Sequence, residues 1–477
     1  MEQLAYIVCL PLLTAVISLV PMDSAKQRSV ISLLVWVQLA IVVLVLQPVL
    51  WGGIERMTFA QGLAIEHTGA LFLSLGTFVV ASSLSHGNVF FEKEGIDGDA
   101  ALKRNMRLFY CCASLFLFAM HFVYLCDNLG YLWISIEATT LASAPLVYYA
   151  RTRNSLEATW KFLIICSVGI AFALLGTVLI FAASQHGVNA FASLDLSALR
   201  QNATALDYSL LRLGFIFCLL GYGTKAGVFP LHSWLPDAHS EAPAPASAML
   251  SGALLNCALF AIWRLSQLVL ESGHTALALY LPLGLGTVTV LAGSLFLVSQ
   301  YGLKRLWAYS SVENVGLMLT AIGLASAPLF FLQAANHSLS KVALFLLSGN
   351  IIQATGTKKL GEIRGLLTLS PSWAILLMLA AFAVTGAPPF GAFISEWLML
   401  ARSADTNLWY VVAVLLFALA LSFIAVSVHV AHILWGTPKA HAKAFSPIKT
   451  SAVPALLIVA TLSAGISSLP LVLLKLP

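Results

Sequence analysis

Apolar residues along this chain come in long uninterrupted runs rather than in alternation or on one helical face. Each run is close to the ~20 residues that an α-helix needs to cross the hydrocarbon of a bilayer. The pattern predicts spans at 4–21, 29–50, 68–86, 106–126, 128–149, 160–184, 209–229, 244–270, 277–299, 303–324, 327–354, 369–402, 407–435 and 450–475. That is an all-α polytopic membrane protein of about fourteen helices, each ~20 residues or longer. The first run follows Met1-Glu2-Gln3, with no basic segment before it and no small-residue cleavage site after it. It therefore reads as a retained helix rather than a secretory signal.

Two of the spans are interrupted. Val228-Phe229-Pro230 stops the seventh, and a loop from His232 to Pro245 follows; Gly386-Ala387-Pro388-Pro389-Phe390-Gly391 breaks the twelfth. Proline removes a helix hydrogen bond and clashes with the preceding turn. Backbone groups freed at membrane depth persist only where protein or a wet cavity satisfies them. Broken helices in two separate halves are the pattern of transporters built from inverted repeats. Two ordinary proline kinks would give the same interruptions, but ionisable residues sit beside both breaks and favour the transporter.

The loop charges add an orientation. With the N-terminus outside, the inner loops hold Lys26, Arg28, Lys93, Lys103, Arg104, Arg107, Arg151, Arg153, Lys304, Arg305, Lys358, Lys359, Arg364, Lys439, Lys443 and Lys449. The outer ends hold only Arg56, Arg200, Arg212, Arg264, Arg402 and Lys475. The positive-inside rule then puts both termini on the outer face.

Composition agrees: 60% of the 477 residues are hydrophobic and 9% charged, with a mean hydropathy of +0.91. A soluble domain carries about 25% charge, so lipid must be the solvent for most of this surface. The net charge of +5 comes without a basic patch interleaved with aromatics, which leaves no footprint for nucleic acid. The cysteines (Cys9, Cys111, Cys112, Cys126, Cys166, Cys218, Cys257) lie in or beside apolar runs, with no C-x-x-C and no zinc or iron–sulfur spacing. They read as small buried hydrophobes. The chain is expected to hold no cofactor and no metal of its own.

Against this background, ionisable groups inside spans stand out, because each costs at least ~2.5–3.5 kcal/mol to insert. Such groups survive by pairing or by lining water. Glu137 lies about nine residues below Asn128, which at ~1.5 Å per residue is near the middle of the bilayer. Lys225, in Gly221-Tyr222-Gly223-Thr224-Lys225-Ala226-Gly227, precedes the first break by one turn. Burial disfavours a lysine's charge and a neighbouring carboxylate restores it, so a lysine that is alternately paired and separated can take up and release a proton. The glycines around it lack the spacing of a phosphate loop. His337 and Lys341 share a helix face at i, i+4, with Ser338 and Ser340 as polar neighbours. Glu396 follows the second break; a proton exit at the outer side suits it better than a salt bridge with Arg402.

Weaker signals complete the set. Lys161 and Glu157 have i, i+4 spacing and fit an ion pair or a point of proton uptake equally. Glu313 fits inner-side uptake or a packing role. His429 and His432 read as interfacial, and His232, Asp237 and His239 match no standard ligand spacing.

These residues carry a resemblance. K-A-G-V-F-P-L-H-S-W-L-P-D-A-H-S-E-A-P-A-P (Lys225 to Pro245) closely resembles the hallmark of the antiporter-like membrane subunits of respiratory complex I, multisubunit sodium/proton antiporters and group 4 membrane-bound hydrogenases. The runs Lys304–Gly316, His337–Lys341 and Pro388–Glu396 match the same family in the same order, so the resemblance covers nearly the whole chain. It implies inverted repeats, here 106–270 and 271–435, between N-terminal helices in 1–105 and a last helix in 436–477. It implies that Glu137 and Lys225 form the charge pair of the first half, that His337 and Lys341 are the central relay, and that Glu396 ends the second half. Within the family, W-I-S-I-E-A-T-T and S-S-V-E-N-V-G look most like the hydrogenase 4 or formate hydrogenlyase component.

One departure matters. Many members carry a histidine or lysine within the stretch matching Ser251 to Asn256, which here reads Ser-Gly-Ala-Leu-Leu-Asn. Water must bridge Lys225 and His337, or the path is altered. The resemblance further implies a proton-translocating subunit of a redox-driven complex in a bacterial or archaeal cytoplasmic membrane. Its partners would be antiporter-like neighbours and a redox module with Fe–S or NiFe centres. The alternatives are a cation/proton antiporter subunit and a membrane subunit for uptake of inorganic carbon.

Overall fold

The computed structural model describes residues 2–94, 99–186, 191–438 and 447–473; Lys439, Lys443 and Lys475 of the predicted loop charges lie outside them. The chain runs α1 (Glu2–Leu19), α2 (Ser24–Leu50), α3 (His67–Lys93), α4 (Ala100–Leu125), α5 (Leu129–Val147), α6 (Arg153–His186), the short α7 (Leu196–Gln201), α8 (Tyr208–Ala226) and α9 (Trp234–Glu241). It continues through α10 (Ala244–Met249), α11 (Leu255–Glu271), α12 (Thr275–Leu297), α13 (Leu303–Gly323), α14 (Ala327–Thr355), the four-residue α15 (Leu366–Leu369), α16 (Pro371–Val384), α17 (Gly391–Asp405), α18 (Trp409–Leu434) and α19 (Pro447–Leu473). Within the described residues each predicted span falls on helix, the twelfth on two, α16 and α17, with the break between them. Among the described residues, eight helices are long and apolar enough to cross a membrane. The rest are shorter, broken or enriched in the polar side chains described below.

Helix starts follow local chemistry. The side chains of Asp23, Asp99, Asn128 and Asp207 accept hydrogen bonds from backbone N–H groups of the first turns of α2, α4, α5 and α8, groups that have no partner within the helix. The breaks fall where the prolines put them. α8 ends at Gly227, whose φ of +82° is the left-handed conformation that glycine tolerates, and α16 stops before Gly386 at φ +65°.

A hairpin and a helix are among the elements the sequence pattern does not predict. The stretch between α2 and α3 forms an antiparallel hairpin of β1 (Arg56–Ala60) and β2 (Leu63–Glu66), with Arg56 opposite Glu66. Its alternating residues are too few to stand out between two apolar runs. The loop expected from His232 to Pro245 contains α9, pinned by Trp234, whose indole N–H donates to the Thr224 carbonyl at 2.9 Å.

At the centre, α10 and α11 form one buried column joined by a π-helical turn, Leu250–Leu254. Helices α3, α8, α13 and α14 pack around it. α6 and α8 touch backbone to backbone: a Cβ on Gly176 would lie 2.6 Å from the Gly214 carbonyl oxygen. α12 and α13 do the same, with 2.8 Å at Gly286 and Gly316. Small residues allow this close approach in lipid, where dispersion replaces hydrophobic driving force.

Ion pairs gather at the two ends of the bundle. Lys161, on α6, pairs with Glu157 at 2.7 Å and Asp237 at 3.1 Å, and Arg305 joins Asp237 at 2.5 Å. At the other end Arg56 and Arg264 hold Asp127 at 2.6 and 3.2 Å, and Arg200 pairs with Glu66 and Glu271. Arg305 of the predicted inner set thus lies at one end, and Arg56, Arg200 and Arg264 of the predicted outer set at the other.

Candidate functional site

The site is a polar seam through the middle of the bundle. On α5, Glu137 is half-buried and both its carboxylate oxygens accept hydroxyls. Thr140 donates to Oε2 at 3.1 Å and Ser167 of α6 to Oε1 at 3.0 Å. Lys225 on α8 is fully buried; its ammonium donates to Thr140 Oγ1 at 2.8 Å and lies 4.7 Å from the centre of the Phe162 ring. The expected pair is therefore connected, but through a hydroxyl rather than by direct contact. Thr140 was missed by sequence reasoning; the signal was its i+3 spacing from Glu137.

The stretch Ser251 to Asn256 straddles the π turn. A π turn withholds carbonyls from the regular helix ladder, and side chains of α14 take them up. The His337 ring faces the Ser251 carbonyl through Nε2 at 3.3 Å, and Ser338 donates to the Gly252 carbonyl at 2.8 Å. A carbonyl only accepts, so Nε2 carries the proton in this arrangement. His337 Nδ1 is then a buried acceptor without a partner. Asn256 donates to Ser338 Oγ at 2.9 Å, while its Oδ1 is buried and unpartnered. Position 256 is thus polar and tied to α14, though not protonatable.

Lys341 is fully buried and donates to the Trp307 carbonyl at 3.1 Å. Glu313, on α13, is buried as well. It accepts the Ser294 hydroxyl at 3.2 Å. From α14 the seam passes to α17. Ser395 donates to Gln333 Oε1 at 2.5 Å, and Gln333 Nε2 donates to Asn314 Oδ1 at 2.9 Å. Glu396 is buried with Oε1 unpartnered, and both amide atoms of Asn336 are buried and unpartnered. The Glu396 carboxylate lies against Gly386, where a Cβ would be 1.9 Å from Oε2. Arg402 does not pair with it; its Nε donates to the Leu324 carbonyl at 3.1 Å. Glu157 and Lys161 stand apart from the seam, at the end of α6.

Beside that end a cavity of about 400 Å³ opens, lined among others by Glu94, Asn105, Tyr149, Glu241, Lys304 and Gln353. Burial pushes the Glu94 carboxyl above its ordinary range, and the Tyr149 hydroxyl, donating at 2.9 Å, pulls it back. Beyond Lys304 lies His239, fully buried with neither ring nitrogen partnered and its ring stacked 5.1 Å from Phe345. Among the described residues no three histidine, cysteine or carboxylate side chains group as a metal centre would require.

Buried polar atoms without protein partners are where ordered water is found. Along this seam they alternate with ammonium, imidazole and carboxyl groups, an arrangement suited to passing protons. Residues 126–422 match the model of the transmembrane NADH:quinone oxidoreductase/Mrp antiporter family. The chain is 38% identical to a hydrogenase-4 component F homolog of Methylacidiphilum infernorum over 73% of its own length and 74% of that protein's. It is 31% identical to hydrogenase-4 component B of Escherichia coli over 69% of its length, but spans only 48% of that longer relative. A subunit of the Mrp complex from Dietzia sp. shares the fold, with a TM-score of 0.84 at 19% identity over 99% of this chain and 96% of that one. The chain belongs to the family of multi-pass, antiporter-like membrane subunits that NADH:quinone oxidoreductases and Mrp antiporters share.

Proposed function

We propose that this chain moves protons across the membrane as a subunit of a redox-driven complex of the hydrogenase-4 type. The observation that carries the reading is the seam itself: Lys225, His337, Lys341 and Glu396 are all buried in one bundle and hydroxyls, carboxamides and unpartnered polar atoms lie between them. Isolated ionic groups in such an interior are strongly disfavoured, so each is expected to change charge as its neighbour does. Electron transfer in partner subunits alters the Glu137–Lys225 interaction; the lysine then gives up or takes a proton. The proton passes the Ser251–Asn256 stretch on water held by Asn256 and His337, and reaches Glu396 by way of Lys341.

The loop charges support both termini on the outer face. The cavity beside Glu94 and Lys304 is then open to the inner compartment. The span order supports inverted repeats at 106–270 and 271–435, each with one broken helix. Hydrogenase-4 relatives favour partners with NiFe or Fe–S centres over a stand-alone exchanger.

The test is Glu137→Gln and Lys225→Ala in the assembled complex, with proton uptake into inverted membrane vesicles followed by a pH-sensitive dye. Loss of pumping at normal complex levels is expected, and unchanged pumping overturns the reading. Replacing sodium in the buffer separates a sodium/proton exchanger, whose activity follows the sodium gradient, from a proton pump.

A further inference from the structure

The ammonium of Lys225 donates to Thr140 Oγ1 at 2.8 Å, and the same hydroxyl donates to Glu137 Oε2 at 3.1 Å. A lysine ammonium has only donors and a carboxylate only acceptors, whereas a hydroxyl is both. The alternative acceptor for the Thr140 proton, the Ile136 carbonyl, is 3.5 Å away and already takes the Thr139 hydroxyl at 2.6 Å. The Thr140 proton is therefore directed at Glu137, and its lone pair at Lys225. On the far side, Ser167 occupies the other carboxylate oxygen at 3.0 Å.

We propose that Thr140 is the relay through which Lys225 and Glu137 exchange a proton, which makes the pair a hydroxyl-bridged wire rather than a salt bridge. In the forward step a Lys225 N–H bond breaks and its proton forms a new bond to Thr140 Oγ1. The original Thr140 O–H bond breaks in concert, and that proton bonds Glu137 Oε2. Ammonium and carboxylate become amine and carboxylic acid; the hydroxyl is regenerated and no electrons change hands. In the product the amine accepts from the hydroxyl and the acid donates to it, so every hydrogen bond reverses without movement of a heavy atom. After each transfer the wire resets when the hydroxyl turns.

This inference rests on the proton-translocating reading, and the test separates the two. Thr140→Val keeps the shape and removes the hydroxyl, while Thr140→Ser keeps the hydroxyl. Both are compared with Glu137→Gln and Lys225→Ala in vesicles carrying the assembled complex, in H2O and in D2O. The expected result is that T140V pumps no better than E137Q and K225A, that T140S pumps, and that complex levels are equal. The slowing in D2O is expected to be larger for T140S than for the wild type. Wild-type pumping by T140V alongside loss in E137Q and K225A overturns the relay and leaves the function standing. Wild-type pumping by all of them overturns both. Should T140V fail to assemble, T140A replaces it in the same comparison, and T140A pumping equal to T140S overturns the relay.

Discussion

Glycine 386 shows how tightly single residues are specified in this seam. Its φ of +65° and the 1.9 Å from a hypothetical Cβ to Glu396 Oε2 exclude a side chain twice over. Gly386→Ala is expected to cost about 1–2 kcal/mol from the left-handed backbone alone and to push the carboxylate out of place. Thermal unfolding of the purified complex should fall in midpoint and pumping should drop; a variant equal to the wild type in both would show that the carboxylate is not held here. Asn256 carries a second prediction. Its carboxamide ties α11 to Ser338 and leaves Oδ1 free for water. Asn256→Leu should slow pumping in the vesicle assay while assembly persists, and Asn256→Lys should retain pumping by supplying a protonatable group. Pumping undiminished in Asn256→Leu would remove this stretch from the path. Glu137, Lys225, His337, Lys341 and Glu396 were legible in the sequence because charge in an apolar run is conspicuous. Thr140, Asn256, Gln333 and Asn336 were not, because hydroxyls and carboxamides are common in membrane helices and only the fold reveals which of them face one another.

Among the elements, the broken helices were legible from their prolines, and the breaks fall where those residues put them. The π turn at Leu250–Leu254 was not, because nothing in Leu-Ser-Gly-Ala-Leu distinguishes a π turn from an α turn. It arises where α14 offers His337 and Ser338 to the carbonyls it releases. The packing of α6 on α8 is what holds Ser167 and Lys225 in place. Gly176→Leu would drive a side chain into Cys218 Sγ, 2.6 Å from even a Cβ, and force the two helices apart. The level of assembled complex, read on a native gel, should collapse, whereas Val178→Leu on the same helix, at a position 53% exposed, should leave it intact. Normal assembly of Gly176→Leu would mean that α6 and α8 do not pack as closely as described.

For the molecule as a whole, the span pattern anticipated a charge-poor bundle of membrane helices, and the ion-pair clusters at Asp237 and Asp127 mark its ends. On the proposed reading the buried groups pass protons and a reaction in partner subunits drives them. The central claim is thus one of coupling. Its most direct measurement is the number of protons moved per electron transferred by the complete complex in sealed liposomes, with wild-type protein and with Lys225→Ala. A ratio that falls in the variant while electron transfer remains measurable is the predicted result, and a ratio unchanged from the wild type would contradict the account.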